Sequence, residues 1–168
     1  QGDRFCREKN YAPWVYDPKE IAAVFLTHAH ADHVGRLPKL VHDGFHGKII
    51  ATPPTLDLTL LNLHDSLKLM EEEAERYGTK PLYSANDVLA TERLFEGLTY
   101  KTPYILNNNF TITLEDAGHI LGSSFVVIET EGKRLVFTGD VGNAPTPLLP
   151  PPTKIVTTNY LVMESAYG

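Results

Sequence analysis

The sequence predicts a mixed α/β fold built as one domain, and three observations carry that expectation. Short apolar runs with strand character stand in both halves of the chain. A long helix-periodic segment lies between them. Polar, chemically loaded residues follow the ends of the apolar runs, where α/β sheets place their sites. At 168 residues, with 42% hydrophobic and 21% charged residues, the chain can bury one core and is composed like a globular protein.

Taken in order, Ile21 to Leu26 is a short apolar run of the kind that forms a buried strand. Asp32 to Val41 reads as a short helix closed by Gly44; Pro38 lies inside it, so the helix kinks there or begins only near it. Lys48 to Ala51 reads as a strand. Leu56 to Tyr77 is a long helix stopped by Gly78, with Leu63, Leu67 and Met70 at core spacing and Glu71, Glu72, Glu73 and Glu75 on a solvated face. Ser84 with Asp87 makes a capping-box start for a further helix through Phe95, ending at Gly97. Phe110 to Leu114 alternates Phe-Thr-Ile-Thr-Leu, a half-buried strand. Ser124 to Thr130 and Arg134 to Thr138 flank Glu131-Gly132-Lys133 as a β-hairpin. Five prolines in the eight residues from Pro145 to Pro152 demand a loop. Lys154 to Met163 contains one more buried strand, Tyr160-Leu161-Val162-Met163.

Composition excludes several classes. Cys6 is the only cysteine, so an internal disulfide and a thiolate zinc knuckle are both ruled out, and a reducing cytoplasm fits. No apolar run approaches the roughly 18 residues of a membrane span, and no signal-peptide pattern opens the chain. Fifteen Lys and Arg against 21 Asp and Glu leave a net charge of −6, which argues against a broad basic surface for nucleic acid. Any such role needs a local site, or parts of the protein outside this sequence. Both ends read as internal to a longer chain. Gln1-Gly2-Asp3-Arg4 has no initiator methionine, and the last nine residues read as a strand entering a turn.

The stretch Leu26-Thr27-His28-Ala29-His30-Ala31-Asp32-His33 concentrates ligand chemistry directly behind the first apolar run. His28 and His30, one residue apart, point the same way in an extended segment. Asp32 and His33 follow once the chain turns toward a helix, and can face a second point a few ångströms away. Two cations about 3.5–4 Å apart are the arrangement used in two-metal hydrolysis. Nitrogen and carboxylate donors without sulfur suit zinc, with manganese or iron as alternatives. A single H-x-H would be most simply a surface turn; H-x-H-x-D-H behind a buried strand makes that bland reading remote. His119 within Gly118-His119-Ile120-Leu121-Gly122 and Asp140 after Thr138-Gly139 would each be ordinary loop residues if they stood alone. Gly118, Gly122 and Gly139 let the backbone turn tightly beside a metal. His42, His46 and His64 have no place in the pattern and read as surface or helix histidines.

In this order the ligands resemble the signature of the metallo-β-lactamase superfamily. The segments LTHAHADHVGRLPKL, GHILGSS, FTGDVGN and the terminal ESAYG are similar to its β-CASP branch, which includes ribonuclease J and the endonuclease of mRNA 3′-end processing. The resemblance runs from about Asn10 to Gly168. The branch commonly has threonine where Ala166 stands.

The resemblance implies a four-layer αββα fold, incomplete here at both ends. It implies that residues 1–168 are a partial metallo-β-lactamase domain, with supporting strands expected before Gln1. A β-CASP cap that completes the substrate cleft is expected after Gly168. It implies two Zn²⁺, the first held by His28, His30 and His119, the second by Asp32 and His33, with Asp140 bridging both. Asp32 and Glu164 are the implied catalytic residues: Asp32 to orient the attacking hydroxide, Glu164 to support a histidine near the leaving group. The implied activity is hydrolysis of RNA phosphodiester bonds by a cytoplasmic dizinc enzyme acting on single-stranded RNA. A homodimer or a processing complex is the candidate assembly, with no membrane partner. This chain alone is expected to be inactive or weak. A thioester or lactone hydrolase of the same superfamily, a DNA-directed nuclease of the same branch and a metal-free binding subunit are the competing readings. The ESAYG ending weighs against the first, and the filled ligand positions weigh against the last.

Overall fold

The computed structural model describes residues 9–143 and 146–166. Ala23–Phe25 (β1), Lys48–Ala51 (β2) and Phe95–Gly97 (β3) form a parallel sheet in the order β1-β2-β3. Tyr104–Asn107 (β4), Phe110–Asp116 (β5), Ser124–Thr130 (β6), Lys133–Phe137 (β7) and Tyr160–Val162 (β8) form a second sheet in chain order. It is antiparallel up to β7, and β8 joins β7 in parallel. Besides helical residues 9–11 and a short 3-10 turn at Pro18–Glu20, the helices are Ala31–Val34 (α1), Leu37–His42 (α2), Pro53–Tyr77 (α3) and Ala85–Glu92 (α4) among the described residues.

Alternation along the strands produces the layers. Ile49 and Ile50 of β2 are both fully buried, yet they face opposite ways. Ile49 packs with Val34, Leu37, Leu40 and Leu56 from the helices, whereas Ile50 packs with Ile112, Leu114 and Val126 of the second sheet. Each such side chain contributes about 1.5–3 kcal/mol on burial, enough to bind a four-residue strand into both layers. The resulting order is helices, parallel sheet, then antiparallel sheet. Phe125, Val127 and Val136 line the outer face of the second sheet, against Val141 and Ile155 of the following loop. No helix covers that face among the described residues. None of the described helices is long and apolar enough to cross a membrane.

Local signals account for most element bounds. Thr52 caps α3, its hydroxyl accepting from Thr55 N, and Pro53 occupies the first turn, where a missing N–H costs nothing. Gly78 ends α3 in a left-handed conformation with φ 67°. Pro38 resolves the predicted 32–41 helix into two: α1 stops at Val34, and α2 begins at Leu37 with the proline in its first turn.

Two expectations are corrected, and one strand was not foreseen. The helix opened by the Ser84–Asp87 capping box ends at Glu92 rather than Phe95. Phe95 to Gly97 instead pair with Ile49 to Ala51, because the free edge of β2 offers hydrogen bonds that outweigh another helical turn. β4 was not legible in the sequence; it pairs with β5 through a register shift between Ile105 and Asn107. The final strand is present but exposed, with Tyr160, Leu161, Val162 and Met163 each at least half accessible. It lies at the edge of its sheet, so hydrophobicity misjudged its depth.

Candidate metal centre

β1 runs into Leu26, whose N–H is tied to Ile50 O, and releases the histidine segment at the sheet end. His30 then serves as the N-cap residue of α1, which carries Asp32 and His33. β5 delivers His119 on a tight turn, where Ser123 Oγ accepts from the N–H groups of His119 and Ile120 at 3.0 and 3.2 Å. β7 delivers Asp140 after Thr138 and Gly139. Four residues from three separate parts of the sequence meet here: the ligand atoms of His28, His30, His119 and Asp140 lie within 4.8 Å of one another.

The spacing suits a cation. His30 Nδ1 lies 3.1 Å from His28 Nε2 and 3.2 Å from His119 Nε2. Asp140 Oδ2 lies 3.6 Å from each of those two Nε2 atoms. Tetrahedral zinc with bonds of about 2.0–2.1 Å separates its ligand atoms by about 3.3 Å. The other oxygen of Asp140 points elsewhere: Oδ1 is 3.4 Å from His33 Nε2, which is 3.5 Å from Asp32 Oδ2. Asp140 thus presents one oxygen to each of two donor sets. The second set is sparser and more open, with Asp32 well exposed.

Electrostatics keep the first set ready to bind. Burial, reinforced by the neighbouring His33, His30 and His119, lowers the pKa of His28 to about 4 against the pull of Asp140. His28 is therefore neutral near pH 7, as a metal ligand must be. Thr27 Oγ1 lies 3.1 Å from His28 Nδ1; with Nε2 turned to a cation, Nδ1–H would donate a hydrogen bond to that hydroxyl. Gly139 is required by its surroundings: φ is +52°, and a Cβ would stand 2.5 Å from Thr27 Cβ. Gly118 and Gly122 are also left-handed, as their turn demands.

Glu164 is not part of the donor cluster. Its carboxylate accepts from the N–H of Val141, the residue after Asp140, and its own N–H donates to Thr138 Oγ1 at 3.2 Å. It braces the loop that carries Asp140. His42, His46 and His64 all lie on the exposed surface. Sequence reasoning missed three supports: Thr27, Ser123, and Asn62 on α3, whose amide donates to Ala29 O at 3.2 Å between the first two histidines. A hydroxyl or an amide carries no ligand signature of its own, so only the fold reveals these roles.

Helices on a parallel sheet, a second sheet behind it and a histidine–aspartate cluster at the strand ends define an α/β protein with a candidate metal centre. The chain belongs to the metallo-β-lactamase superfamily: the model of that family matches residues 6–107, more than half of its length. It is 39% identical over 160 residues to a protein of Thermus thermophilus named as a ribonuclease, covering 95% of this chain and 35% of that one. It is 33% identical over 153 residues to an RNase J-like protein of Methanocaldococcus jannaschii, covering 90% and 33%. A transcription termination factor FttA of Pyrococcus horikoshii is 37% identical over 150 residues, with coverage of 87% and 22%. The chain spans about a third or less of each relative's length. Membership and the donor cluster together make the centre a site for divalent metal.

Proposed function

We propose that this chain carries the dimetal centre of a β-CASP ribonuclease that cleaves single-stranded RNA by hydrolysis. The observation that carries the reading is the division of Asp140 between two donor sets. His28, His30 and His119 would hold the first cation, Asp32 and His33 the second, and Asp140 both. Zinc suits these donors best, with manganese or iron as the alternatives. When bound, a cation pair lowers the pKa of water toward neutrality and offsets charge growing on a phosphoryl group.

The protein's own groups complete the work. His28 stays neutral, with its ring positioned by the contact of Nδ1 with the Thr27 hydroxyl. Asp32, exposed at the open side of the site, is free to orient a water for attack on phosphorus. Glu164 keeps Asp140 in place through the Val141 N–H, a support compatible with its reaching a histidine from another domain. The names of the relatives support RNA as substrate, and their greater length supports a cap domain following residue 168. A cytoplasmic location is part of the proposal, resting on the single cysteine.

The test offers full-length protein a 5′-phosphorylated single-stranded RNA, the matching DNA and a thioester, each with zinc or manganese. RNA cleaved to 5′-phosphate and 3′-hydroxyl ends is the expected outcome. Turnover of the thioester alone would refute the nuclease reading, and preference for DNA would move it to the DNA-directed members of the branch.

A further inference from the structure

Trp14, Asp32, His33, Arg36, Leu37 and Leu40 line a pocket of about 210 Å³. Two of these residues, Asp32 and His33, are also the second donor set, so the pocket adjoins the centre. Trp14 is the only tryptophan of the chain. Its indole N–H donates to Asp43 Oδ2 at 2.7 Å, and its ring packs on the helix-side core. The guanidinium carbon of Arg36 sits 4.1 Å from the centre of that ring.

The charge of Arg36 is left open. Asp43, the carboxylate beside Trp14, is already paired with Lys39. Arg36 has no ion pair among the described residues, and its Nε is shielded from solvent without a hydrogen-bond partner. Stacking covers the face of a guanidinium; with Nε shielded, the Nη groups are the N–H donors that could meet phosphate oxygens. An internal carboxylate would have neutralised this cation, and none does so among the described residues. In a chain of net charge −6, a pre-oriented, unpaired arginine beside a metal centre is a local anion site rather than part of a basic face.

We infer that Arg36 binds a backbone phosphate of the nucleic-acid strand, one flanking the bond presented to the metal centre. Trp14 acts as its platform and Asp43 as the anchor of that platform. The inference rests on the nuclease reading above, and its test separates the two.

The experiment uses the zinc-loaded full-length protein, read as the difference from its Trp14→Phe variant for emission, with a fluorescein-labelled single-stranded RNA and, in a second arm, inorganic phosphate. Anisotropy reads RNA affinity across a salt series, and Trp14 emission reads events at Arg36. Arg36→Gln should weaken RNA binding at least about tenfold, as loss of a charged hydrogen bond does. It should also flatten the slope of log K against log salt by about 0.7, the value for one phosphate on a single strand. Zinc content should stay unchanged, and the Trp14 response to both ligands should disappear. Arg36→Lys, which keeps the charge and packing stem, should retain the salt slope with weaker affinity. Unchanged affinity and slope in Arg36→Gln, or a lower melting temperature as the sole effect of both variants, would overturn the inference. If the wild type ignores RNA while phosphate still acts through Arg36, the nuclease reading fails and the anion site stands.

Discussion

At the scale of single residues, the centre separates ligands from bystanders by geometry. His30 Nδ1 lies within 3.2 Å of two other imidazole nitrogens, whereas His42 is exposed with Asp87 as its partner at 3.1 Å. His30→Ala should therefore abolish tight zinc binding, and His42→Ala should leave it nearly unchanged, as calorimetric titration would show. Equal losses would mean that the site is misidentified. Thr27→Val is a finer test. It preserves shape but removes the acceptor for His28 Nδ1, so zinc affinity should fall about 10–100-fold with the fold intact, the usual consequence of losing such a support. Four of the six proposed ligands were legible because imidazole and carboxylate at H-x-H-x-D-H spacing have few other reasons to crowd together; His119 and Asp140 were legible only through the order of the whole set. Thr27, Ser123 and Asn62 were not, since their roles depend on partners up to 33 residues away. Arg36 was visible only as one letter in a motif; its unpaired charge is a property of the folded neighbourhood.

At the scale of elements, bounds were legible where a local group sets them. β2 and β6 match their predicted spans, and β7 and α3 differ only at their ends, because a glycine turn, Gly78 and the buried apolar pattern act within a few residues. β3 and β8 depend on the neighbour that offers an edge. Phe95 continues a helical pattern but is drawn to β2, and Tyr160 to Val162 are apolar without being buried. The start of α4 is held by a reciprocal capping box, in which Asp87 also meets His42. Burial pushes the Asp87 carboxyl up, but hydrogen bonds from the Ser84 hydroxyl and N–H and from His42 outweigh it and hold its pKa below 3.8. A carboxyl depressed on folding stabilises above its unfolded pKa and loses that contribution as pH falls through the folded one. Asp87→Asn should thus destabilise the protein by about 1 kcal/mol at pH 6. The difference from wild type should shrink as pH drops below 3.8. Urea unfolding at both pH values measures it, and a pH-independent difference would show that the charge of Asp87 is irrelevant.

At the scale of the whole molecule, the two donor sets are unequal. The first brings three histidines and an Asp140 oxygen into one cluster, and the second has Asp32, His33 and the other Asp140 oxygen on the open side. The 168-residue chain should accordingly bind one zinc tightly and a second weakly, by elemental analysis and titration; two equally tight ions would contradict this ranking. Spanning 22–35% of these relatives' length, it should be nearly inactive on RNA beside the full-length protein. The central claim is that Asp140 joins two cations into one hydrolytic centre, and the most direct measurement is the cleavage rate of 5′-phosphorylated single-stranded RNA by full-length Asp140→Asn. An amide supplies no negative charge to share between two cations, so the rate should fall at least about 10³-fold with the thermal transition nearly unchanged. Wild-type activity in a folded Asp140→Asn protein would contradict the dimetal account.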